Sequence, residues 1–293
     1  MAAIQIARLG RGVPYARAQA LQRELVQLRR QGAISDTLLL LEHPPVFTLG
    51  RVQTCEDNVL ASRAEIAAAG ASIVQSERGG NVTFHGPGQL VAYPILDLAG
   101  HRKDLHWFVH SLEDAMIATA AGFGVTARRG DAGEEGIWVE DRKLGALGVH
   151  VTRWVTSHGV ALNVNGMVKR LAGARTAQKP TGGPGGPRPA YADPAAFGPQ
   201  VEPNLSFFDM IVPCGLHARP VTSLAREVAA GRAVGMDEAT TRFTTAFSAV
   251  FGRDVLDDDS ETPAWLSEWR AAYQEPAREH VARPRAGEID PTV

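Results

Sequence analysis

The chain has 293 residues, 44% of them hydrophobic and 21% charged, and carries a formal net charge of −2. That balance supplies enough apolar side chain for a sizeable core and excludes a wholly disordered chain. It gives no broad positive field for nucleic-acid phosphates, and its apolar run at 37–41 falls far short of the ~20 residues of a membrane span, so neither nucleic acid nor a membrane is an expected partner.

Residues 1–10 lack the basic head, apolar centre and small-residue cleavage site of a signal peptide, which makes the cytoplasm the expected location. Residues 14–32 place Leu21, Leu25 and Leu28 at helical spacing before Gly32, predicting an amphipathic helix. Residues 36–42 read as a buried strand stopped by His43-Pro44-Pro45, and 46–50 as a second short strand. A helix over 62–69 ends at Gly70. Strands follow at 73–74, 82–84 and 90–95, separated by glycine-rich segments. Phe108, Leu112, Ala115, Met116 and Thr119 then mark a helix over 107–121. Residues 137–139 and 144–151 form a predicted hairpin with Arg142 and Lys143 in its turn, and 160–164 extends the sheet.

Residues 166–203 break the pattern with basic side chains and a Gly/Pro-rich run, predicting a disordered insert. Order is expected again at 204–212, a strand-like segment leading to Cys214. Phe243, Phe247, Val250 and Phe251 predict a helix over 237–251 that packs on the sheet, and a short helix at 265–273 precedes a frayed tail. Clustered strands with interspersed helices predict an α/β (α+β) fold, a mixed sheet flanked by helices, over residues 1–256, with 257–293 as a C-terminal extension.

Several segments carry residues suited to chemistry. The run Arg78-Gly79-Gly80-Asn81-Val82-Thr83-Phe84-His85-Gly86-Pro87-Gly88-Gln89 is either a ligand-binding wall or a hairpin whose glycines make tight turns, and it matches neither the phosphate-cradling nor the dinucleotide pattern. Lys143, in Arg142-Lys143-Leu144-Gly145-Ala146-Leu147-Gly148, is either a proton-handling lysine beside a buried site or a solvated turn lysine. Cys214, between Pro213 and Gly215, is either a rim thiol activated by a nearby ammonium or a small core residue. Cys55 is the weaker nucleophile, because the carboxylates of Glu56 and Asp57 follow it, and two cysteines are too few for a disulfide framework. His85, His150 and His158 lie in glycine-rich strand segments, but no histidine has metal-ligand spacing, so no metal is expected. His101, His106 and His110 read as a solvated helix face.

Taken with His158-Gly159-Val160-Ala161-Leu162-Asn163 and Pro213-Cys214-Gly215, these motifs resemble, in order, those of the lipoyl(octanoyl) transferase family. The resemblance runs from the first helix to about Phe251. It implies the fold of lipoate and biotin protein ligase catalytic domains, no cofactor, and a two-step acyl transfer. By similarity, Cys214 attacks the thioester of octanoyl-acyl carrier protein, and a lysine of a lipoyl domain then takes the octanoyl group. The implied acceptors are the lipoyl domains of 2-oxoacid dehydrogenase complexes and the glycine cleavage H protein. Lys143 matches the family's proton-relaying lysine, while residues 78–85, Ala146-Leu147-Gly148 and Gly159-Val160-Ala161 match its substrate-binding segments. The insert departs from the family pattern. An ATP-using lipoate or biotin ligase, a cysteine thioesterase and a non-catalytic acyl- or carrier-binding module fit parts of the pattern. Cys214 together with Lys143 favours the transferase over the ligase and the binding module, whereas a thioesterase differs in releasing free octanoate without an acceptor protein.

Overall fold

The computed structural model describes residues 3–53, 55–131, 133–165, 205–212, 220–257 and 264–274. The predicted insert at 166–203 and the Cys214 segment, 213–219, lie outside the described residues. Contacts divide the chain into two units, Met1–Asp257 and Asp258–Val293.

In the first unit the elements run β1 (Ile4–Gly10), α1 (Tyr15–Arg30), β2 (Thr37–Leu41), β3 (Val46–Leu49), α2 (Arg63–Ala68), β4 (Ser72–Gln75), β5 (Thr83–His85) and β6 (Gln89–Ile95). There follow α3 (Leu105–Gly122), β7 (Arg128–Arg129), β8 (Ile137–Val139), β9 (Arg142–Thr152), β10 (Val155–Asn163), α4 (Leu224–Glu227), α5 (Met236–Phe251) and β11 (Val255–Leu256). Eight strands make one sheet in the order β11-β1-β2-β6-β10-β9-β8-β7, and β4-β3-β5 make a smaller one. β1 is parallel to β2 and β11, whereas β2, β6, β10, β9, β8 and β7 alternate in direction. This is the mixed sheet flanked by helices that the sequence predicts. The second unit contributes α6 (Ala264–Gln274). Among the described residues no helix is long and apolar enough to cross a membrane.

The uninterrupted leucines of β2 follow from burial on both faces. Leu38 and Leu40 join one core with Phe108, Leu112, Met116, Phe243 and Phe247 of α3 and α5, while Leu39 and Leu41 are buried outside that cluster. The stripe Tyr15, Ala18, Leu21, Gln22, Leu25 lays α1 against β6 and β10. Asp104 caps α3 by accepting from the Trp107 N–H, and Ser62 and Glu65 form a capping box on α2. A second core gathers Phe47, Leu49, Val82, Phe84 and Phe207 on the small sheet.

Four local expectations are corrected. The hairpin turn is Glu140–Asp141, with Glu140 at φ 54°; Arg142 and Lys143 begin β9, because the backbone of Lys143 pairs with Pro220 and Thr222. Residues 205–210 form a 3-10 turn rather than a strand, which brings both Phe207 and Phe208 onto Phe84, with ring centroids 4.7 and 5.5 Å away. Consecutive strand residues would face opposite ways. His101 is packed, not solvated, since its Nε2 meets Asp36 Oδ2 at 2.7 Å and its ring abuts Trp107 and Phe251. β1 and the first half of β10 carry no predicted strand.

Candidate functional site

A cavity of about 460 Å³ opens between the small sheet and strands β9 and β10, a size suited to a small ligand. Of the candidate residues at 78–85, Arg78, Gly80, Asn81, Thr83 and His85 line it. Gly79, Val82 and Phe84 do not. Strand alternation turns Val82 and Phe84 into the second core, and Gly79 gives its N–H to Val149 O at 2.9 Å. From β9 come Ala146, Leu147 and Gly148, and from β10 Gly159, Val160 and Ala161.

Arg78 lies within the wall as a clamp. Its guanidinium donates to Thr48 O at 2.7 Å, to Thr48 Oγ1 at 2.9 Å and to Gly79 O at 3.0 Å, tying β3 to the glycine turn.

The far wall is polar yet uncharged at neutral pH. Burial holds His85 well below its usual value, and behind it, with ring centroids 5.6 Å apart, burial pushes the His43 imidazole down to about 4. At His158, burial and the Arg78 charge lower it to about 3. Val13 O can only accept, so His43 Nδ1 donates to it at 2.6 Å, and the bare Nε2 accepts from the Tyr93 hydroxyl at 2.8 Å. Tyr15 shares a 2.6 Å hydrogen bond with Ser76, and burial raises its phenol. His158 sits at φ 57°, opposite the stretch of β6 where Pro94 has no N–H, and its own N–H goes to Gln22 Oε1 of α1 at 2.6 Å. Tyr15 and Tyr93, which line the cavity, escaped the sequence search, because nothing local marks an aromatic that tertiary packing brings to a cavity.

Thr83 and Ala146 line both the main cavity and a smaller one of about 10 Å³, lined also by Lys143, Gln89, Asn163, Phe208 and Val221. Lys143 is 5% exposed, and its Nζ lies 5.3 Å from the Trp138 ring centroid. The stem needs a glycine beside it. At Gly136, with φ 113°, a Cβ would fall 3.2 Å from Lys143 Cε and 2.3 Å from Gly145 O. The Lys143 N–H donates to Pro220 O at 2.8 Å, and Lys143 O accepts from the Thr222 N–H at 2.9 Å. Arg142 forks onto Glu227, which also accepts from the Thr222 hydroxyl, fixing this strand addition.

The chain is thus anchored beside Lys143 as it returns from the Cys214 segment, and on entry it is held by Val212, whose N–H donates to Asn58 O at 2.7 Å. Cys55, the weaker thiol candidate, is buried in the second core with Sγ 3.4 Å from Gly50 O. His150 lies outside the cavity and approaches Arg51 and Thr152.

Residues 14–189 match the lipoyl protein ligase A/B catalytic domain. An octanoyltransferase of Solibacter usitatus is 41% identical over 249 residues, spanning 85% of this chain and 93% of its own length. One from Chloroflexus aurantiacus is 41% identical over 242 residues, spanning 82% and 90%. Among solved structures, a lipoate-protein ligase A bound with ATP superposes with a TM-score of 0.62 at 13% identity, covering 92% of each chain. A bipartite lipoate protein ligase from Thermoplasma acidophilum gives 0.57 at 12% identity, covering 92% of this chain and 90% of that one. At such identities the structural likeness speaks for the fold.

Proposed function

The chain belongs to the lipoyl protein ligase A/B catalytic-domain family and, within it, to the octanoyltransferases, and from that membership we propose how its residues carry the acyl group. The protein is an acyltransferase that delivers octanoyl groups for protein lipoylation. Residues 1–256 form the catalytic domain of this reading, acting in the cytoplasm, with 257–293 as an extension.

In the first half-reaction the Cys214 thiolate attacks the carbonyl carbon of octanoyl-acyl carrier protein. The thioester C–S bond breaks, the carrier's thiolate leaves with a proton from the Lys143 ammonium, and octanoyl-Cys214 remains. In the second, a neutral lysine amine of the acceptor attacks that thioester. The C–N bond forms, Cys214 departs as thiolate, and the amine's surplus proton returns to Lys143. An ammonium beside a thiol favours the nucleophilic thiolate, so one lysine serves both halves. Lipoyl-domain proteins are the acceptors, among them those of 2-oxoacid dehydrogenase complexes and the glycine cleavage H protein.

The acyl chain occupies the 460 Å³ cavity, along Ala146 to Gly148 and Gly159 to Ala161. Its six methylenes contribute about 5 kcal/mol at about 0.8 kcal/mol each. The observation that carries the reading is the position of Lys143: buried in the lining of the small cavity that shares Thr83 and Ala146 with the main one, and clamped to the chain just beyond the Cys214 segment.

Intact-mass spectrometry of the protein mixed with octanoyl carrier protein tests it. The expected result is a gain of one octanoyl group, absent in Cys214→Ala and slowed by about 10²- to 10⁴-fold in Lys143→Ala. Transfer that requires ATP, or transfer without any adduct, would overturn the covalent route.

A further inference from the structure

Two buried amides, Gln89 and Asn163, connect the histidine wall to the Lys143 strand, and their hydrogen bonds admit one polarity. The chain of constraint begins at a backbone carbonyl. Thr222 O can only accept, so the group facing it at 3.0 Å must be Asn163 Nδ2. Asn163 Oδ1 is then the acceptor that meets Gln89 at 3.0 Å, and the Gln89 group there must be its NH₂. The same NH₂ faces Phe84 O at 3.2 Å, a second carbonyl that only accepts. Gln89 Oε1 is left for His85 Nδ1 at 2.8 Å, which must therefore carry a proton. Reversing either amide would set two acceptors against one another in a site where Gln89 and Asn163 are 2% and 3% exposed, a costly arrangement for groups so buried.

We infer that Gln89 and Asn163 are positioning residues of the transfer site: they hold His85 in its Nδ1-protonated tautomer, so that its bare Nε2 is presented to the cavity as a hydrogen-bond acceptor. His85 lines that cavity, and among the described residues its Nε2 makes no hydrogen bond. Burial keeps the ring neutral, so the lone pair stays available. The partner it selects is an N–H donor on the substrate, either an amide of the thioester donor's arm or the amine of the acceptor lysine. The same two amides end on Thr222, whose N–H holds Lys143 O, so one network sets the histidine and the lysine strand together. This inference rests on the acyl-transfer reading for its catalytic consequence, but the tautomer does not depend on it.

Nitrogen-15 NMR of labelled histidine in the parent protein, with the His85 signal identified by its loss in His85→Gln, reads the tautomer directly. An Nδ1–H, Nε2-bare imidazole is expected. An Nε2–H form or a charged ring overturns the inference whatever the enzyme's activity. The second measurement compares Asn163→Asp, which keeps the acceptor but removes the donor to Thr222, in single turnovers of each half-reaction. In folded variant kcat is expected to fall about 10- to 100-fold with KM little changed, the range met when the outer partner of a metal-bound imidazole is removed. Loss confined to acylation assigns the donor's amide as the partner of Nε2, and loss confined to aminolysis assigns the acceptor amine. Unchanged rates in both halves overturn the positioning role. If Cys214 proves not to carry the acyl group, the parent tautomer still decides the structural claim on its own.

Discussion

The buried imidazoles make the protein's stability depend on pH in a direction that the structure fixes. His43 and His158 titrate at about 4 and about 3 in the fold, against about 6.5 in an unfolded chain. Below pH 6.5 the unfolded state therefore binds protons that the native state refuses, and stability falls as the pH drops. The slope approaches about 1.36 kcal/mol per pH unit per histidine well below pH 6.5, so going from pH 7.5 to 5 costs about 2 kcal/mol for each and about 4 kcal/mol for the pair. His85, held well below its usual value by burial, adds to the loss with the same sign. Domains of this kind have about 5–15 kcal/mol in total, so the loss is large. Urea unfolding followed by circular dichroism at pH 7.5, 6.5 and 5 measures it. His43→Gln should remove about half of the two-histidine fall, whatever it does to stability at pH 7.5, because the readout is the slope against pH. An unfolding free energy that changes by less than about 1 kcal/mol between pH 7.5 and 5 would refute the reasoning.

Two further substitutions probe the frame of the cavity. Gly159→Ala would place a Cβ 2.2 Å from Ala92 O and 2.7 Å from Pro94 Cδ, within the central strand pair, so a loss of about 1–3 kcal/mol or more is expected in the same unfolding assay. A parent-like midpoint would mean that β6 and β10 yield more easily than close packing allows. Arg78→Lys keeps the charge but not the fork onto Thr48. A loss of about 2–4 kcal/mol is expected from the charge-assisted hydrogen bonds it cannot reproduce, whereas stability equal to the parent's would show that only charge matters at this position.

Much of the fold was written in local sequence. The leucines of β2, the phenylalanine stripe of α5 and the glycine stops of the helices report burial and termination through spacing alone, and the mixed sheet follows from their order. The segments at 78–85, 146–148 and 159–161 are named by resemblance to the family's motifs, and all of 146–148 and 159–161 but only part of 78–85 line the cavity.

Other features belong to the tertiary structure. Lys143 looked as much like a turn residue as a buried one until Pro220 and Thr222 supplied a strand against its backbone. Which residues of 78–85 face the cavity depended on the pairing of β5 with β3, and Phe207 and Phe208 turned inward only because Phe84 offered a surface for both. The neutral histidine wall draws on residues 85 and 158, with His43 packed behind, and the amide relay on 89, 163 and 222. Spacing along a chain encodes which side of an element is apolar. The state of an imidazole is decided by desolvation and by the few acceptors within hydrogen-bond reach, and those come from strands far apart in sequence.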